Sequence, residues 1–426
     1  VTKAPAAKID THHMRAPGYY MNNRTKFVNF INSYFSEYRD DVINEAVALT
    51  CEDMDGAKSE GAEFKLLIHQ KVVRDYLNLH TPYRGLLLYH GLGSGKTCSS
   101  IAIAEGMKST KRIIVMTPAS LQRNYIEEIK KCGDVLFKRE QHWKWTPLNK
   151  SRAEEVEAGA TAIGVSKSYV KKRKGVWLVD SMKPSNIETL SSKQAMLLDE
   201  QIDDMIRTKY HFINYNGLTR DHMRAISNDF DTNIFSHSVV VIDEVHNFIS
   251  RIANKLKKEK KVSHDADGKL DAHPIALSLI LYEMLLSAQD VRIVMLTGTP
   301  MINYPNELGI LFNILRGYIK TWEFQLKPNH AYKTTAEKIT NMFSREKHMD
   351  YFEYARNEVL TVTRNPFGFI SSPQNSLSTQ GSTTSVHADT DHPPLTDIEF
   401  RDRVLNTLDQ GAIPANRAKT NVKLFK

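Results

Sequence analysis

Short apolar runs alternate with longer stretches of helical spacing through the middle of the chain. The runs at 112–116 and 238–242 are rich in β-branched residues and lack an alternating polar face, which is typical of parallel strands covered on both sides. Between such runs, for example at 64–80, apolar residues recur every three or four positions and predict helices. The alternation predicts a βαβα order, and therefore an α/β fold with a mostly parallel, doubly wound sheet.

The same pattern divides the chain into segments. Weak periodicity indicates an insertion before the strand at 238–242, and a stretch rich in serine, threonine and proline indicates a linker. Ser120 and Thr396 are predicted N-caps of the helices that follow them. The expected segments are an N-terminal helical extension (1–63), an α/β domain (64–318) with an insertion at about 134–209, accessory helices and a strand (319–370), a flexible linker (371–394), and the short helical start of a truncated C-terminal region (395–426).

Composition narrows the class of protein. The chain of 426 residues has a formal net charge of +8, which suits a polyanionic partner without identifying one. Its three cysteines, Cys51, Cys98 and Cys132, are odd in number and widely spaced, so we expect neither a disulfide framework nor a zinc site, and an intracellular, reducing location. The longest apolar helical stretch, at 274–288, carries Glu283 and is too short to cross a bilayer.

The stretch RGLLLYHGLGSGKT is an apolar run that leads into glycines, a lysine and a threonine. Gly91, Gly93 and Gly95 allow a turn that aims successive backbone N–H groups at one point, where an anion binds. Lys96 adds positive charge, Thr97 offers a hydroxyl to a magnesium ion, and the following helix points the positive end of its dipole at the same place. The pattern predicts a phosphate-binding loop; the alternative is a glycine-rich turn before an ordinary helix.

Gln70 lies in the predicted helix ahead of this loop. A side-chain amide can pair with both the N6 donor and the N7 acceptor of adenine, so a glutamine delivered to the nucleotide would select ATP. The alternative interpretation is a helical glutamine that faces solvent.

The run SVVVIDEVHNF ends a buried strand with two adjacent acids, Asp243 and Glu244. Open α/β sheets place their ligands at the carboxyl ends of strands. Asp243 is therefore predicted to hold magnesium together with Thr97, while Glu244 orients and deprotonates the attacking water as a general base. Two acids also end strands by chance, and that remains the alternative.

Other strand ends supply residues predicted to contact nucleic acid or to couple it to the nucleotide. A hydroxyl or a helix N-terminus that follows a strand can donate hydrogen bonds to phosphate. An ordinary α/β crossover explains the same pattern, and the basic run KKRK at 171–174 is either a solvated loop or a nucleic acid contact. The predicted residues are Thr117, Pro118, Thr219, Arg220, Thr297, Gly298 and Thr299.

Together, HGLGSGKT, the Thr-Pro strand end, DEVH and LTGTPMINYPNEL resemble the superfamily 2 DExH-box helicases of the Swi2/Snf2-like type found in large nucleocytoplasmic DNA viruses. That group includes the poxvirus early transcription factor small subunit and nucleoside triphosphate phosphohydrolase I. His90 stands where a strict Walker A motif has glycine. The first motif of that superfamily also lacks a glycine at this position. The resemblance covers residues 64 to about 317 and implies a RecA-like P-loop domain that uses ATP and Mg²⁺. The nucleotide-binding residues it implies are Gln70, Gly91, Gly93, Ser94, Gly95, Lys96, Thr97, Cys98 and His246, with Lys96, Asp243 and Glu244 catalytic.

Relatives of this type have a second RecA-like domain with an arginine motif of the form Q-x-x-G-R-x-x-R. We find none after Pro300, and the chain opens on Val1 rather than methionine. We therefore expect the first motor domain of a longer protein, which would hydrolyse ATP slowly when its partner domain is absent.

The leading functional hypothesis is an ATP-dependent helicase or translocase that acts on nucleic acid, DNA in preference to RNA. The resemblance implies viral RNA polymerase or transcription factors as partners, and a virion or a host cytoplasmic virus factory as location. A viral DNA-packaging ATPase is a second hypothesis, although the glutamine and LTGTP oppose it. The third is an ATP-binding subunit of a transcription complex that does not separate strands.

Overall fold

The computed structural model describes residues 66–78, 84–148 apart from Leu92, 153–259 apart from Ser181, 276–326, and, with gaps, 335–423. Of the first 65 residues it describes only a few positions between 35 and 43, so the predicted N-terminal extension lies outside the described residues. The chain forms two compact units. The larger unit comprises Val47–Asn78 and Tyr83–Leu315, and the smaller comprises Val1–Ala46, Leu79–Pro82 and Arg316–Lys426.

The larger unit alternates helices with strands, as the apolar pattern predicted. Two short 3-10 turns, Val135–Phe137 and Ile187–Thr189, lie within it. In chain order its elements are α1 (Ile68–Tyr76), β1 (Gly85–Tyr89), α2 (Lys96–Met107), β2 (Arg112–Thr117), α3 (Gln122–Cys132), β3 (Trp143–Pro147), α4 (Ala153–Ala162), α5 (Lys167–Arg173), β4 (Gly175–Val179), α6 (Ser192–Lys209), β5 (Tyr210–Asn214), α7 (Arg220–Ile226), β6 (Ser238–Ile242), α8 (Val245–Glu259), α9 (Leu277–Ser287), β7 (Arg292–Thr297) and α10 (Asn306–Arg316).

The central sheet has the strand order β1-β7-β6-β2-β5, and every neighbouring pair is parallel. All five residues of β6 are buried, which is why that strand reads as an unbroken apolar run. The register pairs Tyr89 with Thr297, Ile242 with Met295, and Met116 with Ile242, so four strands end at one edge. The predicted α/β fold with a mostly parallel sheet is confirmed.

Between α3 and β5 the chain forms the elements of the expected insertion. Strands β3 and β4 pair antiparallel, and the rings of Trp145 and Trp177 meet edge-on with centroids 5.3 Å apart. Gln201, fully buried on α6, binds the backbone of β4 with both ends of its amide: Trp177 N donates to Oε1 at 2.7 Å, and Nε2 donates to Trp177 O at 2.8 Å. A serine cap at Ser191 starts α6.

The cysteine prediction was wrong. Cys98 on α2 and Cys132 at the end of α3 form a disulfide, with Cα atoms 5.5 Å apart. The two residues are 34 positions apart in sequence, but α2 and α3 pack side by side, and this approach could not be seen from the spacing. Glu128 of α3 lies beside both sulfur atoms.

The predicted cap at Ser120 was also wrong. Helix α3 begins one residue later than that cap requires, after Leu121, and no side chain caps it. Ser120 is exposed. None of the helices in the described residues is long and apolar enough to cross a bilayer.

The smaller unit contains a second sheet, with antiparallel strands in the order β13-β8-β10-β9. We expected accessory helices and one strand at 319–370, separate from 395–426; instead both segments contribute strands to this sheet. The elements of the smaller unit are β8 (Ile319–Gln325), α11 (Ala336–Phe343), β9 (Met349–Tyr354), β10 (Val359–Arg364), β11 (Phe369–Ser372), β12 (Ser385–Ala388), α12 (Asp397–Gln410) and β13 (Lys419–Lys423).

The described residues of the smaller unit include an apolar core. Helix α12 begins with a capping box of Thr396 and Glu399, which confirms the predicted cap, and it buries Phe400 against Trp322 of β8 with ring centroids 4.7 Å apart. In the predicted linker, β12 pairs antiparallel with β11, and residues 373–384 lie outside the described residues. The core consists of Trp322, Phe324, Leu326, Ile339, Phe343, Met349, Leu360, Val362, Phe400, Val404, Leu408 and Ile413.

Gln201→Leu tests the polar clamp inside the insertion. Leucine has a similar volume but leaves the N–H and C=O of Trp177 buried without partners, which should lower the free energy of unfolding by about 2–4 kcal/mol. Urea unfolding followed by tryptophan fluorescence measures the loss. Lys193→Ala, at an exposed position of the same helix, is the control and should leave the transition unchanged; equal transitions for both variants would show that the clamp contributes nothing.

Candidate functional site

In the loop between β1 and α2, two of the three predicted glycines have a backbone conformation that favours glycine. Gly93 and Gly95 adopt left-handed conformations, with φ of 77° and 74°. A Cβ on Gly95 would lie 2.4 Å from Nε2 of Gln70, so both backbone angle and space require glycine there. His90 has no positive φ, which explains why the first Walker glycine can be absent.

Lys96 begins α2 and extends back over this loop. Its Nζ donates to the backbone oxygens of His90 at 2.9 Å and Gly91 at 2.8 Å. Thr97 follows at the first turn of a helix of 12 residues, whose free N–H groups and dipole favour an anion at its N-terminus. The loop, the ammonium group and the helix end therefore lie together, and their binding of an anion stays a prediction.

Gln70 is buried against the loop, with 2% of its surface exposed. Its Oε1 accepts from Leu67 N at 3.0 Å, and its Nε2 donates to Gly95 O at 3.3 Å. His69 Nε2 lies 3.2 Å from Ser94 O. Gln70 thus supports the phosphate loop directly. Its contact with adenine stays a prediction, and would require one of these amide bonds to be exchanged.

His90 adds no cation to the loop. Burial, followed by the positive charges of His69 and Lys96, lowers the pKa of the imidazole, so the ring is neutral at neutral pH. Its ring meets His69 edge-on, with centroids 5.9 Å apart. Among these three basic groups, Lys96 is the one whose charge is directed over the loop.

The acid pair lies at the end of β6, beside the loop. Asp243 N donates to Met116 O at 2.8 Å, and Asp243 Oδ1 accepts from Glu244 N at 3.0 Å. Burial, followed by the negative charge of Glu244, raises the pKa of Asp243 to about 6, while Lys96 and Thr117 act in the opposite direction. The carboxyl is thus half-buried and partly desolvated, so a nearby cation would be favourable.

His246 connects the acid pair to the neighbouring strand. Its Nδ1 lies 3.3 Å from Glu244 Oε2 and 2.9 Å from Thr297 Oγ1 at the end of β7. Thr297 is fully buried, and its Oγ1 also accepts from Thr299 N at 3.0 Å. One histidine and one hydroxyl therefore connect Glu244 to the loop after β7.

The residues predicted to contact nucleic acid have different surroundings. Thr117 is fully buried, and its hydroxyl interacts with Asp243 and Pro118 rather than facing solvent. Thr219 is exposed and caps α7, accepting from His222 N at 3.2 Å, and Arg220 begins that helix. The nucleic acid contacts stay predictions, and the burial of Thr117 and Thr297 points to roles at the acid pair instead.

Cys98 lies in the first turn of α2, but its side chain is turned into the core. Only its backbone N–H can serve the phosphate loop, because its sulfur is bonded to Cys132. No sequence pattern pointed to Tyr215, whose hydroxyl lies 3.1 Å from the backbone oxygens of both Asp243 and Glu244. That residue directly follows β5 and is far from the acids in sequence, so only the fold reveals the contact.

The donor set fits a nucleoside triphosphate with magnesium. Hard cations prefer oxygen ligands, and the Thr97 hydroxyl and the Asp243 carboxylate are on the elements that border the loop. The raised pKa of Asp243 marks a carboxylate whose charge the protein alone does not compensate. Phosphate groups are matched by the loop N–H groups and Lys96.

Comparisons with known proteins agree with this geometry. A family model described as the type III restriction enzyme res subunit matches residues 63–301, more than half of the chain. A candidate ATP-dependent RNA helicase of Acanthamoeba polyphaga mimivirus is 26% identical over 297 residues, covering 69% of this chain and 40% of that protein.

Two further relatives come from other large DNA viruses. A candidate helicase of Invertebrate iridescent virus 3 is 23% identical, over 59% of this chain and 20% of its own length. The termination factor NPH-I homolog of African swine fever virus is 23% identical, over 55% of this chain and 23% of its own length. The chain therefore spans less than half of each of these relatives.

Asp243→Asn should stabilise the protein while removing its response to magnesium nucleotide. The folded-state pKa of Asp243 is raised from 3.8 to about 6, so the folded state keeps a proton that the unfolded state releases between these values. Stability that is fully present below pH ~4 is thus lost as pH rises through ~6. At pH 7.5, asparagine removes a penalty of up to about 3 kcal/mol.

Thermal unfolding with and without magnesium-ATP, at pH 4 and pH 7.5, measures both effects. The variant should exceed the wild-type protein in midpoint at pH 7.5 but not at pH 4, and ligand should no longer raise its midpoint. Asp221→Asn, at an exposed carboxylate of α7, is the control. A variant less stable than wild type at pH 7.5 would contradict the electrostatic account of this carboxyl.

Proposed function

The chain belongs to the family described as the type III restriction enzyme res subunit, and from that premise we propose that it is a motor domain of a superfamily 2 helicase or translocase, which hydrolyses ATP to act on nucleic acid. One observation supports this most strongly: the loop with Lys96 follows β1 and the pair Asp243–Glu244 follows β6, on either side of β7 at one sheet edge, and His246 joins the acids to Thr297 of β7. The viral relatives support a viral origin.

The proposed roles follow from the contacts. The loop N–H groups and Lys96 hold the phosphates, and Thr97 and Asp243 hold magnesium. Magnesium, when bound, offsets charge on the phosphate oxygens. Glu244 orients the attacking water and accepts its proton at a carboxylate oxygen, while His246, at 3.3 Å, fixes the direction of that carboxylate.

Nucleic acid is the proposed activator. The excess of eight positive charges favours a polyanion, and exposed Thr219 and Thr299 lie after strands of the same sheet edge. We propose DNA in preference to RNA, acting with a second RecA-like domain and with transcription proteins inside an infected cell. The relative from mimivirus is described as an RNA helicase, so RNA belongs in the same test.

A second candidate function is an ATP-binding subunit of a transcription complex that does not move along nucleic acid. The similarity to a viral termination factor homolog supports this second candidate function. The two functions differ in one measurable property, because only a motor needs its hydrolysis to respond to the polymer.

Glu244→Gln tests the proposed chemistry. The amide keeps the shape of the side chain but cannot accept a proton, so ATP should still bind while hydrolysis falls by ~10²- to 10⁴-fold. Single-turnover assays with the chain in excess, with no polymer, with duplex DNA and with RNA, detect even slow hydrolysis. Glu154→Gln, exposed on the insertion, is the control.

Normal hydrolysis by Glu244→Gln would place the base elsewhere. Wild-type hydrolysis that is unchanged by either polymer would favour the subunit without motor activity. Stimulation by RNA alone would replace the proposed preference for DNA.

A further inference from the structure

The turn that carries the acid pair has a backbone conformation that needs support. Glu244 has a φ of 46°, in the left-handed region that residues with a side chain rarely adopt. Such conformations persist only where the surrounding contacts determine them, and they are frequent at functional sites. Toward α8, Asn247 N donates a hydrogen bond to Glu244 O at 3.0 Å, which joins the turn to the start of that helix.

Tyr215, which directly follows β5, contacts the turn from the side of that strand. Its side chain is buried, with 5% of its surface exposed, and its hydroxyl lies 3.1 Å from both Asp243 O and Glu244 O. The ring packs on Phe248 of α8 with centroids 5.6 Å apart. Burial raises the pKa of Tyr215, so the hydroxyl stays protonated, and its one hydrogen is shared between the carbonyl oxygens of Asp243 and Glu244.

The backbone of Tyr215 is fixed as well. Its carbonyl accepts from Arg251 Nη1 of α8 at 3.1 Å. The chain then turns, with Gly217 N donating to Asn214 O at 3.0 Å, and reaches Thr219, the cap of α7. One residue therefore contacts the acid turn through its side chain and begins the segment where nucleic acid is proposed to bind.

We propose that Tyr215 is a positioning residue for hydrolysis: its hydroxyl holds the Asp243–Glu244 turn in the conformation that directs Glu244 at the attacking water. The proposal rests on the proposed function, since it assigns Glu244 as the base. It differs from a packing role, because packing belongs to the ring and positioning belongs to the hydroxyl alone.

Tyr215→Phe separates the two roles. The ring and its contact with Phe248 remain, so the thermal midpoint should fall by less than about 4 °C. With the hydroxyl removed, kcat for ATP should fall about tenfold, with KM for ATP and the half-saturating concentration of nucleic acid within about twofold of wild type. Tyr169→Phe is the matched control, because that hydroxyl also donates to a backbone carbonyl, Leu197 O at 3.0 Å, but lies in the insertion.

Hydrogen exchange provides a second readout that does not depend on hydrolysis. Tyr215→Phe should speed amide exchange at 243–247 and leave exchange in β7 and in the insertion unchanged. Unchanged exchange at 243–247 would overturn the proposal even in an inactive protein. Faster exchange with an unchanged kcat would also overturn the proposal, because the turn would then have become more mobile without any effect on hydrolysis. An inactive wild-type chain refutes the proposed function and leaves the exchange result to decide on the turn.

Discussion

Parallel pairing in register is the constraint on which the candidate site depends. Strands β1, β7, β6 and β2 are neighbours, and the pairing of Tyr89 with Thr297 and of Ile242 with Met295 makes them end together. Groups from distant parts of the sequence, Lys96 and Asp243 among them, thereby reach one sheet edge without any long side chain having to span the gap. A shift of one residue in either pairing would turn every strand-end side chain to the other face.

The arrangement at this edge costs stability. Asp243 carries a half-buried carboxyl beside a second acid, and Glu244 adopts a left-handed backbone. Neither feature favours folding by itself. The hydroxyl of Tyr215 contacts the backbone of the left-handed turn, whereas the protein alone leaves the charge of Asp243 uncompensated. Proteins commonly accept such local cost at sites whose chemistry needs a charge in low dielectric.

The larger unit was predictable from sequence because its signals are local. Apolar runs mark buried strands, and the structure has the motifs GLGSGKT and DEVH at strand ends, where the sequence placed them. Contacts between distant segments were not predictable: the pair Cys98–Cys132, the clamp of Gln201 on Trp177, and Tyr215 at the acid turn depend on packing that no spacing encodes. The sequence prediction wrongly divided the smaller unit into separate segments, because Phe400 and Trp322, which share one core, lie far apart in sequence.

Calorimetric titration of magnesium-ATP into the folded chain measures whether the loop around Lys96 is where a nucleoside triphosphate binds. Loss of a charged hydrogen-bond donor to phosphate, worth about 1.5–3 kcal/mol, should weaken binding by Lys96→Ala at least tenfold. Lys131→Ala, which removes an exposed lysine of α3, should bind like wild type. Equal affinity for Lys96→Ala and wild type, with both proteins folded, would show that the nucleotide binds elsewhere.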